Sequence, residues 1–494
     1  MTVPTISESP VANGATTRVP TAFLGYLLAT GAVLACVMFG ALVAHDLWFV
    51  AFGMLAAIPL GLLVLRDPWW AVIAWIVTVP LVGTTDGGAV RAVYWLTHRA
   101  LPVAALVIII VGAVTGLRPR TLPKLGLPEA CMAAYLGATF FSVLYTAQHE
   151  LSRLFVLYDR VFIPMCLYLI VRLVVPERRE LRTLVVAAVV VLVVQSVVGM
   201  VAWIGPAVLR PEWLGKVGER TTGTLQSPDL FGVTMLFCGL FVLHMGMHAA
   251  RRGTTRVVAL CFFGLSLLML FMSFSRATWL ASVLALIGLA FVYRRYLQRI
   301  IVVGGLLILV LAASGLLRTQ WQYAQYRFDS QQSEASALSR LPVFLAAWRM
   351  FEAKPVTGFG YENFDSVDRR FQGRVGDLVY PDKNHASHNL FLTLLAEQGL
   401  VGFVLYLGPM ALWFLASIAR RARIPDGGVV NRALLVALWL VILGHIVVNN
   451  FSRMHLPFGL GMYWLTLGLI ASIVDRYRNR VPDRPATRLV SAIR

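Results

Sequence analysis

Two histidines, His385 and His388, stand in the run NHASHNLFLTLLAEQGLVG, where a short polar stretch opens directly into an apolar segment of membrane length. Ionisable groups at such a border usually react or bind something. Neutral imidazole, with an ordinary pKa of about 6.5, is the side chain best suited to accept a proton near neutral pH. Three further runs carry arginines beside turn or helix signals: RTTGTLQSPDLFG from Arg220, FSRATWL with Arg276, and SRLPVFLAAW with Arg340. A guanidinium is a planar, permanently charged fork that grips phosphate oxygens two at a time. These types suit proton transfer beside a bound polyanion, provided the fold gathers them.

Membrane spans must do the gathering. Of the 494 residues, 58% are hydrophobic and only 14% charged, against about a quarter charged in ordinary soluble domains. Windows of about 20 apolar residues, enough for a helix to cross about 30 Å of hydrocarbon, recur from Thr21 almost to the end, and about fourteen can be drawn. The expected fold is an all-α polytopic membrane protein with about 12–14 transmembrane helices. The formal charge of +19 does not point to nucleic acid, because the basic residues stand in short clusters between apolar spans, the pattern of positive-inside topology. Cys36, Cys131, Cys166, Cys238 and Cys261 fall within apolar spans without metal-ligand spacing, so neither disulfides nor zinc is expected.

Placing the basic clusters at 118–124, 172–182, 251–256, 294–299, 420–432 and beyond 476 in the cytoplasm turns the intervening connections outward. The outward set includes 206–229, the turn at Ser275 and Arg276, and 452–457. It also includes the longest connection, of mixed charge, at 318–387. The expected organisation is a disordered cytoplasmic tail over 1–20 and an N-terminal transmembrane bundle over 21–317. There follow one large extracytoplasmic loop subdomain with short helices over 318–387, C-terminal transmembrane helices over 388–475, and a basic cytoplasmic tail over 476–494. Within the loop, Ser339 to Ala353 has helical periodicity with Val343, Phe344, Ala347 and Met350 to one side, and Lys354-Pro355 stops it. The glycine-punctuated turn GFGYENF comes next.

On this topology the runs around Arg220, Arg340 and His388 reach the same outer face. In those motifs the chain resembles the O-antigen ligase and polymerase superfamily, polytopic enzymes that move glycans from polyprenyl diphosphate lipids. The resemblance extends over about residues 199–470 and departs from the family at Asp229, where asparagine is frequent. It implies an Arg ahead of a Gly-Thr and Pro-containing turn (Arg220), an Arg opening a helix of the large loop (Arg340), and the His of a Ser-His-Asn run (His388). It further implies that both arginines hold the diphosphate leaving group and that His388 is the general base, a role worth roughly a hundred- to ten-thousandfold in rate. Arg276, His385 and Asn389 join as substrate-binding candidates. No paired-carboxylate nucleophile site stands out, which fits inverting in-line displacement without a metal or cofactor. The implied partners are an undecaprenyl-diphosphate-linked glycan as donor, a glycan, lipid or protein hydroxyl as acceptor, and membrane lipid, with no nucleic acid. The implied place is a bacterial inner membrane, with the site on its extracytoplasmic face.

Blander readings stand beside each residue. Arg220 and Arg340 can be ordinary loop and helix arginines, and His388 with Asn389 a polar cap for the following helix. Asp365 and Asp368 in FDSVDRR read as a solvated loop face before they read as a metal pair. Arg153, Asp159 with Arg160, Arg453 and His455 are second-rank groups, most simply structural pairs or interfacial anchors. The alternative function is a membrane transporter of a small anion or glycan, which calls for ionisable residues or broken helices near mid-membrane. Only His445 and a few glycines read as deep.

Overall fold

The computed structural model describes residues 58–82, 88–117, 122–146, 151–209, 211–214, 220–248, 253–293, 340–373, 387–452 and 455–479, with single positions at 305 and 325. The expected tail at 1–20, spans drawn over 21–57 and 294–317, much of the 318–387 connection, His385, Arg453 and the end of the basic tail lie outside the described residues. The chain falls into two units, Met1–Ile58 and Pro59–Arg494, and every labelled helix lies in the second.

Those helices are α1 (Trp69–Val82), α2 (Val90–Val114), α3 (Leu127–Thr146), α4 (Ser152–Val174), α5 (Arg178–Ile204) and α6 (Pro228–His248). After them come α7 (Gly253–Met272), α8 (Arg276–Val292), α9 (Leu341–Ala353), α10 (Leu390–Arg420), α11 (Arg432–Asn449) and α12 (Pro457–Arg476). Among the described residues nine helices are long and apolar enough to cross a membrane, and α1 and α8 are shorter apolar helices. The protein is thus an all-α, multi-pass membrane protein. The loop helix expected over Ser339 to Ala353 appears as α9, with Val343, Ala347 and Met350 buried and Phe344 half-buried; Lys354 ends it.

Two helices are apolar all round, as burial on every side requires. α6 is buried from Leu230 to Met247 and α12 from Phe458 to Val474. α6 packs on α5, α7 and α11, whereas α12 packs on α4, α10 and α11. Lipid tails are as apolar as leucine, so helices in a membrane associate through close backbone approach at small residues. Gly232, Gly239 and Gly246 recur every seventh residue on α6, and a Cβ at each would overlap Thr278, Ser266 and Ala259 respectively.

Polar ties hold the two ends of the bundle. At one end Arg172 of α4 reaches Glu129 of α3 at 3.3 Å and Asp475 of α12 at 2.9 Å, and Arg476 donates to the carbonyls of Val175 and Pro176. This is the end that carries Lys124, Arg420 and Arg432. Deeper ionisable groups exceed the single His445 read from the sequence. π-helical turns at Trp95–Ala100 and Tyr158–Phe162 face each other, and Arg99 grips both carboxylate oxygens of Asp159 at 2.7 and 2.6 Å. Asp159 therefore pairs with Arg99 rather than Arg160, whose partner is Glu362 of the loop at 2.8 Å. His98, fully buried, accepts from Trp75 Nε1 at 3.0 Å.

Candidate functional site

The opposite end collects the N-termini of α6, α8, α9, α10 and α12 and the C-termini of α5, α7 and α11. Helix N-termini carry unsatisfied N–H groups and a partial positive charge, which favours anions there.

The RTTGT segment is an anchor as well as a motif. Thr221 N–H donates to the carbonyl of Met272 at 3.1 Å, and Trp203 Nε1 donates to Thr221 Oγ1 at 2.7 Å. Thr224 exchanges hydrogen bonds with Gln195 of α5 and donates to the carbonyl of Pro80 in α1 at 2.6 Å. Thr221 to Leu225 are buried, and Arg220 sits half-buried where the segment enters the bundle. The tie to Met272 brings it beside the α7–α8 turn, where Ser275 caps α8 and donates to Asp229 in the first turn of α6. Arg276, next in sequence, is exposed.

The Ser-His-Asn run divides its labour. Asn389 caps α10, its side-chain oxygen accepting from Phe391 and Leu392 N–H at 3.0 and 3.1 Å. Ser387, fully buried, bonds Thr393 Oγ1 and the Asn389 carbonyl. His388, between these two fasteners, has φ of +47°, the left-handed region where a residue with a Cβ is strained. The polar-cap reading therefore applies to Asn389, whose carboxamide is largely occupied by the helix start, and not to His388.

α11 registers this segment against the loop helix. Asn389 Nδ2 donates to the Asn450 carbonyl at 3.2 Å, and Arg340 Nη1 donates to the next carbonyl, Phe451, at 2.9 Å. Cations are favoured at the C-terminal end of a helix, where carbonyls lack intrahelical partners. Burial lowers the pKa of His388, and the positive charge of Arg340 lowers it further, with His455 adding to this and Asp229 opposing it. Burial likewise lowers that of Arg340, with Arg276 adding to this and Asp229 opposing it. Arg340, Arg276, Asp229, His388 and His455 thus share one electrostatic environment, and the Thr221–Met272 bond sets Arg220 at its border. Asp229 and His455 enter more directly than the sequence indicated, since only folding sets them against His388.

Other expectations separate. Asp365 is exposed whereas Asp368, three residues on, is buried. Arg153 donates to Asn363 and Arg160 pairs with Glu362, so both tie α4 to the loop. Among the described residues, no group of His, Cys, Asp and Glu has metal-binding geometry.

The fold and site are those of a multi-pass membrane protein that gathers cations and a neutral-leaning imidazole at one end of its bundle. A family model described as O-antigen ligase matches residues 260–407, and this match supports the resemblance of the chain to the O-antigen ligase superfamily. The matched segment holds Arg276, Arg340 and His388 and leaves Arg220 outside. No curated protein matches the chain.

Proposed function

We propose that the protein transfers a glycan from a polyprenyl diphosphate lipid to an acceptor hydroxyl, at the end of the bundle away from the basic clusters. The observation that carries this reading is the shared environment of Arg340, Arg276, Asp229, His388 and His455, drawn from segments far apart in sequence. Arg220 and Arg340, with Arg276 beside them, hold the two phosphates of the donor. His388 takes the proton as the acceptor oxygen attacks the anomeric carbon. The bond from that carbon to the phosphate oxygen breaks, and its electron pair leaves on the arginine-held diphosphate. The attack is in line and inverts the anomeric carbon, and the arginines supply the charge compensation that a metal supplies elsewhere.

The positive-inside rule favours this end facing outward from the cytoplasmic membrane, with a second lipid-linked glycan, a lipid core, a cell-wall glycan or a protein side chain as the acceptor. The test is reconstitution in lipid with a radiolabelled undecaprenyl-diphosphate glycan and candidate acceptors. Product that stays on the diphosphate lipid and lengthens marks a polymerase, and product that leaves it marks a ligase. Absence of transfer with every acceptor overturns the reading, and loss of turnover in EDTA overturns its metal-free form.

The transporter reading draws on the groups inside the spans. Arg99 is neutralised by Asp159 and Arg172 by Glu129 and Asp475, whereas His445 is a buried span residue whose ring nitrogens both lack a hydrogen-bond partner. Replacing it separates the two readings: His445→Leu should leave glycan transfer standing, whereas a substrate pathway through the spans would be lost with it.

A further inference from the structure

Three consecutive residues of α10, Glu397, Gln398 and Gly399, perform three separate tasks. Gly399, at φ +62° and ψ −162°, breaks the helix. In a membrane every backbone group released by such a break must find a partner. The chain segment after α9 supplies partners: Leu400 and Val401 N–H donate to the carbonyls of Pro355 and Val356 at 2.8 and 3.2 Å. In return Phe359 and Gly360 N–H donate to the carbonyls of Ala396 and Glu397 at 3.0 and 2.6 Å. The approach is so close that a Cβ on Gly358 would overlap the Glu397 backbone, and one on Gly399 the backbone of Val356. Gln398 turns the other way, donating to Tyr135 of α3 at 3.0 Å.

The Glu397 carboxylate closes this clamp. It is 2% exposed, and its two oxygens accept from the N–H groups of Glu362 and Phe364 at 3.0 and 3.1 Å. Helix α9 and the first part of α10 then run side by side from the site to the clamp. At about 1.5 Å per residue, the 13 residues of α9 cover about 20 Å, close to the distance from His388 to Gly399 along α10. Val343, Ala346, Ala347 and Met350 of α9 fill the space between them with Phe364 and Ala396. Arg340 stands at the site end of one helix and His388 at the site end of the other.

We propose that Glu397 is a positioning residue that fixes Arg340 relative to His388 by locking the far ends of their two helices together. The proposal rests on the functional reading given above and adds to it a buried carboxylate about two turns below the reacting groups. Opening the clamp releases the C-terminal end of α9, so α9 pivots and Arg340 draws away from His388. The groups facing His388 are Arg340, Asp229 and His455, and loss of the first leaves a smaller net positive charge against the imidazole.

The experiment uses the full chain in lipid nanodiscs with Glu397→Gln and Glu397→Ala. Glu397→Gln keeps the volume and one acceptor oxygen, so it serves where the alanine variant does not fold. Backbone hydrogen exchange over 359–364 should accelerate in both. Turnover per folded molecule should fall, by about a hundredfold for alanine if the misplacement reaches about 1 Å, and less for glutamine. The acidic limb of the pH profile should move up toward the ordinary imidazole range. Faster exchange with unchanged turnover and an unmoved limb overturns the positioning role, and unchanged exchange overturns the clamp itself. The exchange and rate readouts do not depend on His388 being the base. If a His388 variant keeps full turnover, the functional reading fails while the clamp is still judged by its own variants.

Discussion

At the scale of single residues, the site carries its own control for separating strain from chemistry. His388 holds a left-handed backbone between two fastened neighbours, and a residue with a Cβ pays about 1–2 kcal/mol for that conformation, with asparagine among the most tolerant. His388→Asn therefore preserves the turn while removing the proposed base. It should fold as the parent does, by thermal unfolding, and lose about a hundred- to ten-thousandfold in turnover; wild-type turnover would remove the base assignment. The pH sign follows from the lowered pKa, whose causes are burial first and Arg340 second. The neutral form is favoured in the folded state, so the contribution of His388 to stability is complete above the ordinary value of 6.5 and is lost as pH falls below it. By the same shift the acidic limb of kcat/KM should lie below 6.5. Arg340→Gln removes the largest of the charges that lower it and should raise that limb. Arg340→Lys should hold the limb yet still cost kcat/KM, because a point charge cannot reproduce a two-pronged phosphate grip. A limb unmoved in Arg340→Gln would show that the guanidinium does not act on the imidazole.

At the scale of elements, local pattern and long-range pairing differ in how far they can be read from the chain. The periodicity of Val343, Ala347 and Met350 and the stop at Lys354-Pro355 outline α9, because every signal for it lies within one helix length. The break at Gly399 stands beside the polar pair Glu397 and Gln398, but the segment that satisfies it, 355–360, lies some forty residues earlier, so the local sequence does not show what it pairs with. The Arg99–Asp159 pair is likewise silent, since its members are 60 residues apart and meet only because two π-helical turns face each other. The glycines of α6 were open to reading: positions 232, 239 and 246 repeat every seventh residue, the period that keeps a stripe on one side of a packed helix. Gly239 meets Ser266 of α7 in the middle of that stripe. Gly239→Val should destabilise the bundle by about 1–3 kcal/mol, read as a lower unfolding temperature in detergent, with the pH limb of any remaining activity unmoved. An unfolding temperature equal to the parent's would mean that α6 and α7 are not in close contact there.

At the scale of the whole molecule, the two ends of the bundle are chemically unlike, and that contrast bears on which side of the membrane the proposed reaction uses. One end binds α3, α4 and α12 through Arg172, Glu129 and Asp475 and carries the basic clusters that favour the cytoplasm. The other carries five helix N-termini, the arginines and His388. With this end outward, as the positive-inside rule favours, the proposed lipid-linked donor would meet it in the outer leaflet. Orientation can be read directly by placing single cysteines at exposed positions, with the parent chain as background for its own cysteines. Leu341→Cys lies at the exposed start of α9 at the site end, and Asp426→Cys lies in the connection between α10 and α11 at the basic end. A membrane-impermeant maleimide applied to intact cells should label Leu341→Cys and spare Asp426→Cys until the membrane is permeabilised. The reverse pattern would put Arg340 and His388 in the cytoplasm, where the same residues would have to act on a donor that has not yet been moved outward.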